Sequence, residues 1–218
     1  MKIFFVIIGV ALSAIFLYLN MFFPVPGHWV FTVFMVCATI VKIAESFYSS
    51  KENDATKYQG DWTLLLTSLL YFITGVFIIG EFYFLNTVHT ALSVFAGILI
   101  YLFAVILRYW SIKTLGNQWA IHIVMRSKLK ATHKLVLSGP YKYIRHPIYL
   151  TYILDLIGIS LIFGTYYSMI LIVVLNIPSY VLRAMYEEKI SRIRFASEYD
   201  EYFSVTSFML PTFFINKK

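Results

Sequence analysis

The chain has 218 residues, 60% hydrophobic and 13% charged, with a mean hydropathy of +0.75 and a formal charge of +7. No water-soluble domain of this size has enough interior to hide that much apolar side chain, so a soluble globular fold is excluded and the bilayer is the solvent. The positive charge does not call for nucleic acid, because cations placed in cytoplasmic loops explain it.

Apolar runs of about twenty residues predict membrane helices over 3–23, 28–47, 62–84 and 89–110. The first is not a cleavable signal, since bulky Phe22, Phe23 and Pro24 stand where small residues would permit cleavage. Cys37 lies inside the second run and reads as a small buried hydrophobe. Lys42 and Glu45 are spaced to pair and snorkel at the end of that run, and 48–61 is a solvated linker of mixed charge. The block 147–186 is too long for one crossing. It divides at Gly164-Thr165 into 147–163 and 166–186, a helical hairpin.

The predicted fold is thus an all-α integral membrane protein, a single domain over 1–218 with about six transmembrane helices. Residues 24–27, 85–88 and 164–165 contain no Lys or Arg, whereas 111–146 carries seven and no acid. The positive-inside rule then puts both termini and the long loop in the cytoplasm. Asp155 falls about two turns inside the fifth helix, where a carboxylate either bonds another helix or faces a substrate cavity. Asn176 and Pro178 predict a kink in the sixth helix.

The loop 111–146 is long enough to be functional rather than connective. Gly139-Pro140 reads as a turn. His146 precedes a proline and is driven out of helical geometry, and Pro147 suits the first position of a new helix. His122, His133 and His146 share this side of the membrane, but no HxxxH or CxxC spacing accompanies them, and no metal is expected. The sixth helix runs into the stretch 183–190, where Arg183 and Glu187 share a helical face in the less stabilising order for an i,i+4 pair, which favours a polar site at the membrane surface. Glu188 and Arg192 have the favourable order and read as an ordinary surface pair. The aromatic tail, from Phe195 through Tyr199, Tyr202, Phe203, Phe208, Phe213 and Phe214, suits a segment lying against the interface or over the loop.

Seven short patterns occur in order: Leu107-Arg108-Tyr109-Trp110, Leu115-Gly116-Asn117-Gln118-Trp119, His133-x-Leu135-Val136, Ser138-Gly139-Pro140-Tyr141, Arg145-His146-Pro147-x-Tyr149, Arg183-x-x-x-Glu187-Glu188 and Phe195-x-x-x-Tyr199-x-x-Tyr202. Together they resemble the isoprenylcysteine carboxyl methyltransferase family of integral membrane enzymes, over about residues 107–211. The resemblance divides the chain into N-terminal helices, 1–106, which match nothing specific, and a methyltransferase core, 107–218. It implies a cytoplasm-facing pocket for S-adenosylmethionine, closed by the loop and tail, with a lipophilic and possibly prenylated acceptor entering from the membrane lipids. By motif position, His133, Leu135, Val136, Tyr141, His146, Tyr149 and Glu188 would hold the cofactor, and Arg183 and Glu187 would face the reacting end of the acceptor. Three residues depart from the pattern: Thr151 and Ala196 stand where glycine is usual, and Ser191 where leucine is common.

Methyl transfer from a sulfonium to a carboxylate needs no general base, since the acceptor is already ionised, but it does need a cation to orient it. The guanidinium of Arg183 is forked to suit two oxygens. Other readings keep the membrane but change the chemistry. A phospholipid amine or a thiol acceptor would need a base such as His146 or Glu187. Related folds include NADPH-dependent sterol reductases. A transporter predicts inverted repeats and paired broken helices, and the sequence contains neither.

Overall fold

In the computed structural model, residues 2–23, 28–48, 62–85, 87, 90–116 and 134–211 are described. Helices occupy each predicted run: α1 (Lys2–Phe22), α2 (His28–Tyr48), α3 (Trp62–Phe84), α4 (Ala91–Leu115), α5 (Pro147–Phe163), α6 (Tyr166–Phe195) and a short α7 (Ser197–Val205). Among the described residues, α3, α4 and α6 are long and apolar enough to cross a membrane by themselves, and 10–22, 31–41 and 147–163 form shorter apolar helices.

Two predicted ends move. α4 continues from 110 to Leu115, because Ile112 and Leu115 pack with Tyr141 and Ile148 in a small core beneath the loop. α6 runs past the apolar span 166–186, as the helical spacing of Glu188 and Arg192 requires, and ends at Phe195. At 1.5 Å per residue its 30 residues reach about 45 Å, against about 30 Å of hydrocarbon. Its polar last turns therefore stand outside the membrane.

Local signals account for most boundaries. Thr90 and Ser93 form a reciprocal capping box at the start of α4. His146 takes φ −123°, ψ 55°, outside the helical region, and Pro147 opens α5. The α5–α6 hairpin closes at Gly164, whose N–H reaches back to Leu161 and Ser160 carbonyls. The irregularity predicted at Asn176 and Pro178 is a π-helical turn, Ile172–Asn176. Pro178 has no N–H to offer the preceding turn, and the wider turn absorbs that loss, with the Ile177 N–H bonding Ile172 O.

The molecule is apolar outside and partly polar inside. Leu65, Phe77, Leu99, Phe103 and Val173 are exposed, as is Cys37, which was expected to be buried, while Thr63, Thr67, Thr74, Glu81, Arg108, Asp155 and Asn176 are buried. Lipid offers helices no hydrophobic reason to associate, so close packing and polar contacts must do it. Gly97 and Gly158 let α4 and α5 touch backbone to backbone: a Cβ on Gly97 would come within 2.7 Å of the Gly158 carbonyl oxygen. Thr74 accepts a hydrogen bond from Asn176 Nδ2 at 2.6 Å. Glu81 accepts from the Tyr167 and Ser168 N–H groups at 3.0 and 2.8 Å, capping the start of α6 from a different helix.

Asp155 is an interhelical partner. It accepts both terminal nitrogens of Arg108 at 2.5 and 3.0 Å, with both side chains fully buried, and the guanidinium lies 5.2 Å from the Tyr152 ring centre. Removing one member of such a pair strands the other charge. Asp155→Ala should lower unfolding stability in detergent by about 3–5 kcal/mol, while Arg108→Leu combined with Asp155→Leu costs less than the single change. A single and a double variant of equal stability would contradict the pairing.

Candidate active site

The described part of the loop begins at Lys134. Gly139–Lys142 forms one turn of 3-10 helix that buries Pro140 and Tyr141 and delivers Arg145 and His146 to the start of α5. From the other direction, α6 brings Glu187 and Glu188 to the same point. His146 Nε2 lies 3.0 Å from Glu188 Oε1, and its Nδ1 lies 3.8 Å from Glu187 Oε2. Arg145 Nε donates to the same Glu188 oxygen at 2.7 Å. Burial pushes the Glu188 carboxyl up, but the hydrogen bonds from His146 and Arg145 outweigh it and hold the group below the usual carboxylate value. Glu188 is therefore ionised at neutral pH.

The tail closes over this junction. The Arg145 N–H donates to Ser207 O at 2.8 Å, the His146 N–H to Phe208 O at 3.1 Å, and the Ser207 N–H to Tyr143 O at 3.1 Å. Arg145 Nη1 also donates to the Thr206 carbonyl, and its guanidinium lies 4.0 Å from the Phe203 ring centre. Tyr202 donates to Tyr141 O at 2.8 Å. Tyr199 is buried beside these groups, and burial pushes its hydroxyl well above the ordinary value, with the Glu188 charge adding to the effect. The tail through Phe208 thus lies over the loop, one of the two placements its composition allowed; Phe213 and Phe214 lie outside the described residues.

A cleft opens between loop, α6 and α7. Leu135, Val136, Tyr141, His146 and Glu187 line it, joined by residues the motif reading had not placed in the site: Lys134, Arg145, Arg194, Tyr199 and Tyr202. Arg145 belonged to a motif already noticed, and Tyr199 and Tyr202 to the aromatic tail. Lys134 and Arg194 had no signal beyond charge. Tyr149 and Glu188 stand behind the lining, Tyr149 donating to Glu187 Oε2 at 2.8 Å and Glu188 holding Arg145 and His146. Arg183, one turn before Glu187, lies 5.8 Å from the Tyr149 ring centre and donates to Thr63 Oγ1 at 2.9 Å. His133 lies outside the described residues.

The expectation that Glu188 and Arg192 form a helix-surface pair is overturned. Glu188 turns inward to Arg145 and His146, where burial strengthens its contacts, while Arg192 packs on Phe203 and approaches Asp200 at 3.6 Å. The three departures from the family pattern differ in consequence. Thr151 is fully buried and satisfies its own hydroxyl on Ile148 O at 2.7 Å. Ser191 lines the cleft. Ala196 takes φ +45°, ψ −122°, the geometry that Gly116 adopts at the end of α4, and only glycine enters that region without strain.

Comparison with known proteins now bears on these residues. Residues 95–191 match the isoprenylcysteine carboxyl methyltransferase (ICMT) family. That segment holds the loop, α5, the hairpin and α6 through Ser191, and so carries Tyr141, Arg145, His146, Arg183, Glu187 and Glu188. The ICMT family is one of membrane methyltransferases. The chain is also 33% identical over 84 residues to the uncharacterized protein YpbQ of Bacillus subtilis (strain 168), covering 38% of this chain. It spans about half of that relative's length, 48%.

Two variants test the junction. Arg145→Ala should detach the tail, seen as faster proteolytic cleavage after α6 in the folded, detergent-solubilised protein; an unchanged rate would contradict the clamp. Ala196→Gly should stabilise the folded state by about 1 kcal/mol, read as a higher unfolding midpoint, because the strain at this position disappears.

Proposed function

We propose that the chain is an S-adenosylmethionine-dependent methyltransferase that acts at the cytoplasmic membrane surface on a lipophilic acceptor, the carboxylate of a prenylated cysteine or a similar group. The observation that carries this reading is the meeting of Tyr141, His146 and Glu187 around one cleft, with Arg183 one helical turn before Glu187 against the Tyr149 ring, within a segment that matches the ICMT family. The cationic run 111–146 supports a cytoplasmic orientation.

The lining fits such a cofactor by its chemistry. Leu135, Val136 and Tyr141 offer apolar and aromatic surface to a purine, Lys134 and Arg194 a counter-charge to a carboxylate, and Glu187 a counter-charge to an ammonium. The cleft measures about 90 Å³. When bound, the cofactor supplies a methyl group on a sulfonium.

The remaining work belongs to the protein. Arg183 orients an anionic acceptor through its forked guanidinium, braced by the Tyr149 ring. Tyr149 fixes the Glu187 carboxylate by its hydroxyl, so that Glu187 keeps one position beside the cleft. Tyr202 and Phe208 cover the loop and exclude water from the reacting region.

Purified protein incubated with methyl-labelled S-adenosylmethionine and a prenylated cysteine analogue should yield label that mild base releases, as from a carboxyl ester. Base-stable label would indicate an amine or thiol acceptor, and failure to bind the cofactor would remove the methyltransferase reading. Arg183→Ala should lower transfer by about a hundredfold or more while cofactor affinity stays near wild type. A parallel collapse in cofactor affinity would contradict the role given to Arg183.

A further inference from the structure

We propose that Thr63, on α3 and outside the family-matched segment, is a positioning residue for Arg183 that fixes the plane of the guanidinium meeting the acceptor. The inference rests on the reading above, in which Arg183 faces an anionic acceptor. Both side chains are buried, Thr63 at 1% exposure and Arg183 at 2%, and Arg183 Nη1 donates to Thr63 Oγ1 at 2.9 Å. The guanidinium is thus held against the ring of Tyr149 from α5 and, at one terminal nitrogen, by a hydroxyl from α3.

The chemistry explains why a threonine suits this place. A guanidinium can bind two carboxylate oxygens only in one plane, so an anchor that removes its rotation shortens the search for productive geometry. Thr63 is itself stiff. It is β-branched, it sits in the first turn of α3, and its carbonyl accepts from Thr67 Oγ1 at 2.9 Å. Thr63, Thr67 and Thr74 form a buried polar stripe along α3, and α6 meets that stripe through both Arg183 and Asn176. The N-terminal helices therefore contribute to the reacting end of the site.

The test uses full-length protein, methyl-labelled S-adenosylmethionine and the prenylated cysteine analogue. Thr63→Val keeps the shape and removes the hydroxyl; it should lower kcat/KM for the acceptor about tenfold or more, with cofactor affinity unchanged. Thr63→Ser retains the hydroxyl and should restore most of the activity. If Thr63→Val does not accumulate, Thr63→Ala serves for it. A Thr63→Val protein as active as wild type, a Thr63→Ser protein as impaired as Thr63→Val, or a fall in cofactor affinity that tracks the fall in activity would each overturn the inference. No transfer by the wild-type protein would instead remove the functional reading, and this inference with it.

Discussion

Glu188 is the point on which the junction of loop, α6 and tail depends. One of its carboxylate oxygens accepts from both Arg145 and His146, so a single atom on α6 fixes the end of the loop and the start of α5. Arg145 then passes the constraint on, through its bonds to Phe203 and Thr206 carbonyls, to the tail. Three stretches far apart in sequence are held at one corner by groups that are mostly dehydrated, where charge-assisted hydrogen bonds are strong and an unmatched partner is costly. The walls of the cleft are the surfaces this corner brings together.

The membrane region obeys a related constraint with different groups. Hydrocarbon gives helices little reason to pack, so beside the interlocked rings of Phe16, Phe31, Phe82 and Phe163 the contacts that tie them are close approaches of small residues and polar pairs. Gly97 against Gly158 is the first kind; Arg108 with Asp155, Asn176 with Thr74 and Glu81 with the start of α6 are the second. Each polar pair would be expensive alone in lipid and is retained because its partner is in place. This rigid frame holds α3, α5 and α6 so that Thr63, Tyr149 and Arg183 meet.

The features legible in the sequence were those set by neighbours along the chain. Pro147 opens a helix because its missing N–H costs nothing there, and Gly164 closes one, so the start of α5 and the hairpin were predictable from a few residues. Motif order marks Tyr141, His146 and Glu187, which the fold brings to one cleft. Contacts that depend on the rotation of one helix against another were not legible. Arg183 meets Thr63 across 120 positions, Ser168 meets Glu81 across 87, and Arg108 meets Asp155 across 47. Asp155 could be flagged as a buried carboxylate, but nothing in one sequence names Arg108 as its partner. Glu188 misled for the same reason: its helical spacing to Arg192 is favourable, and only packing reveals that it faces the other way.

The most direct test of the account is amide hydrogen exchange on the purified protein with and without S-adenosylmethionine. If loop, α6 and tail form one cofactor cleft, the ligand should slow exchange together in residues 134–146, in the last turns of α6, and in α7 through Met209. Exchange that does not change in these three stretches, or that slows only in the N-terminal helices, would contradict it.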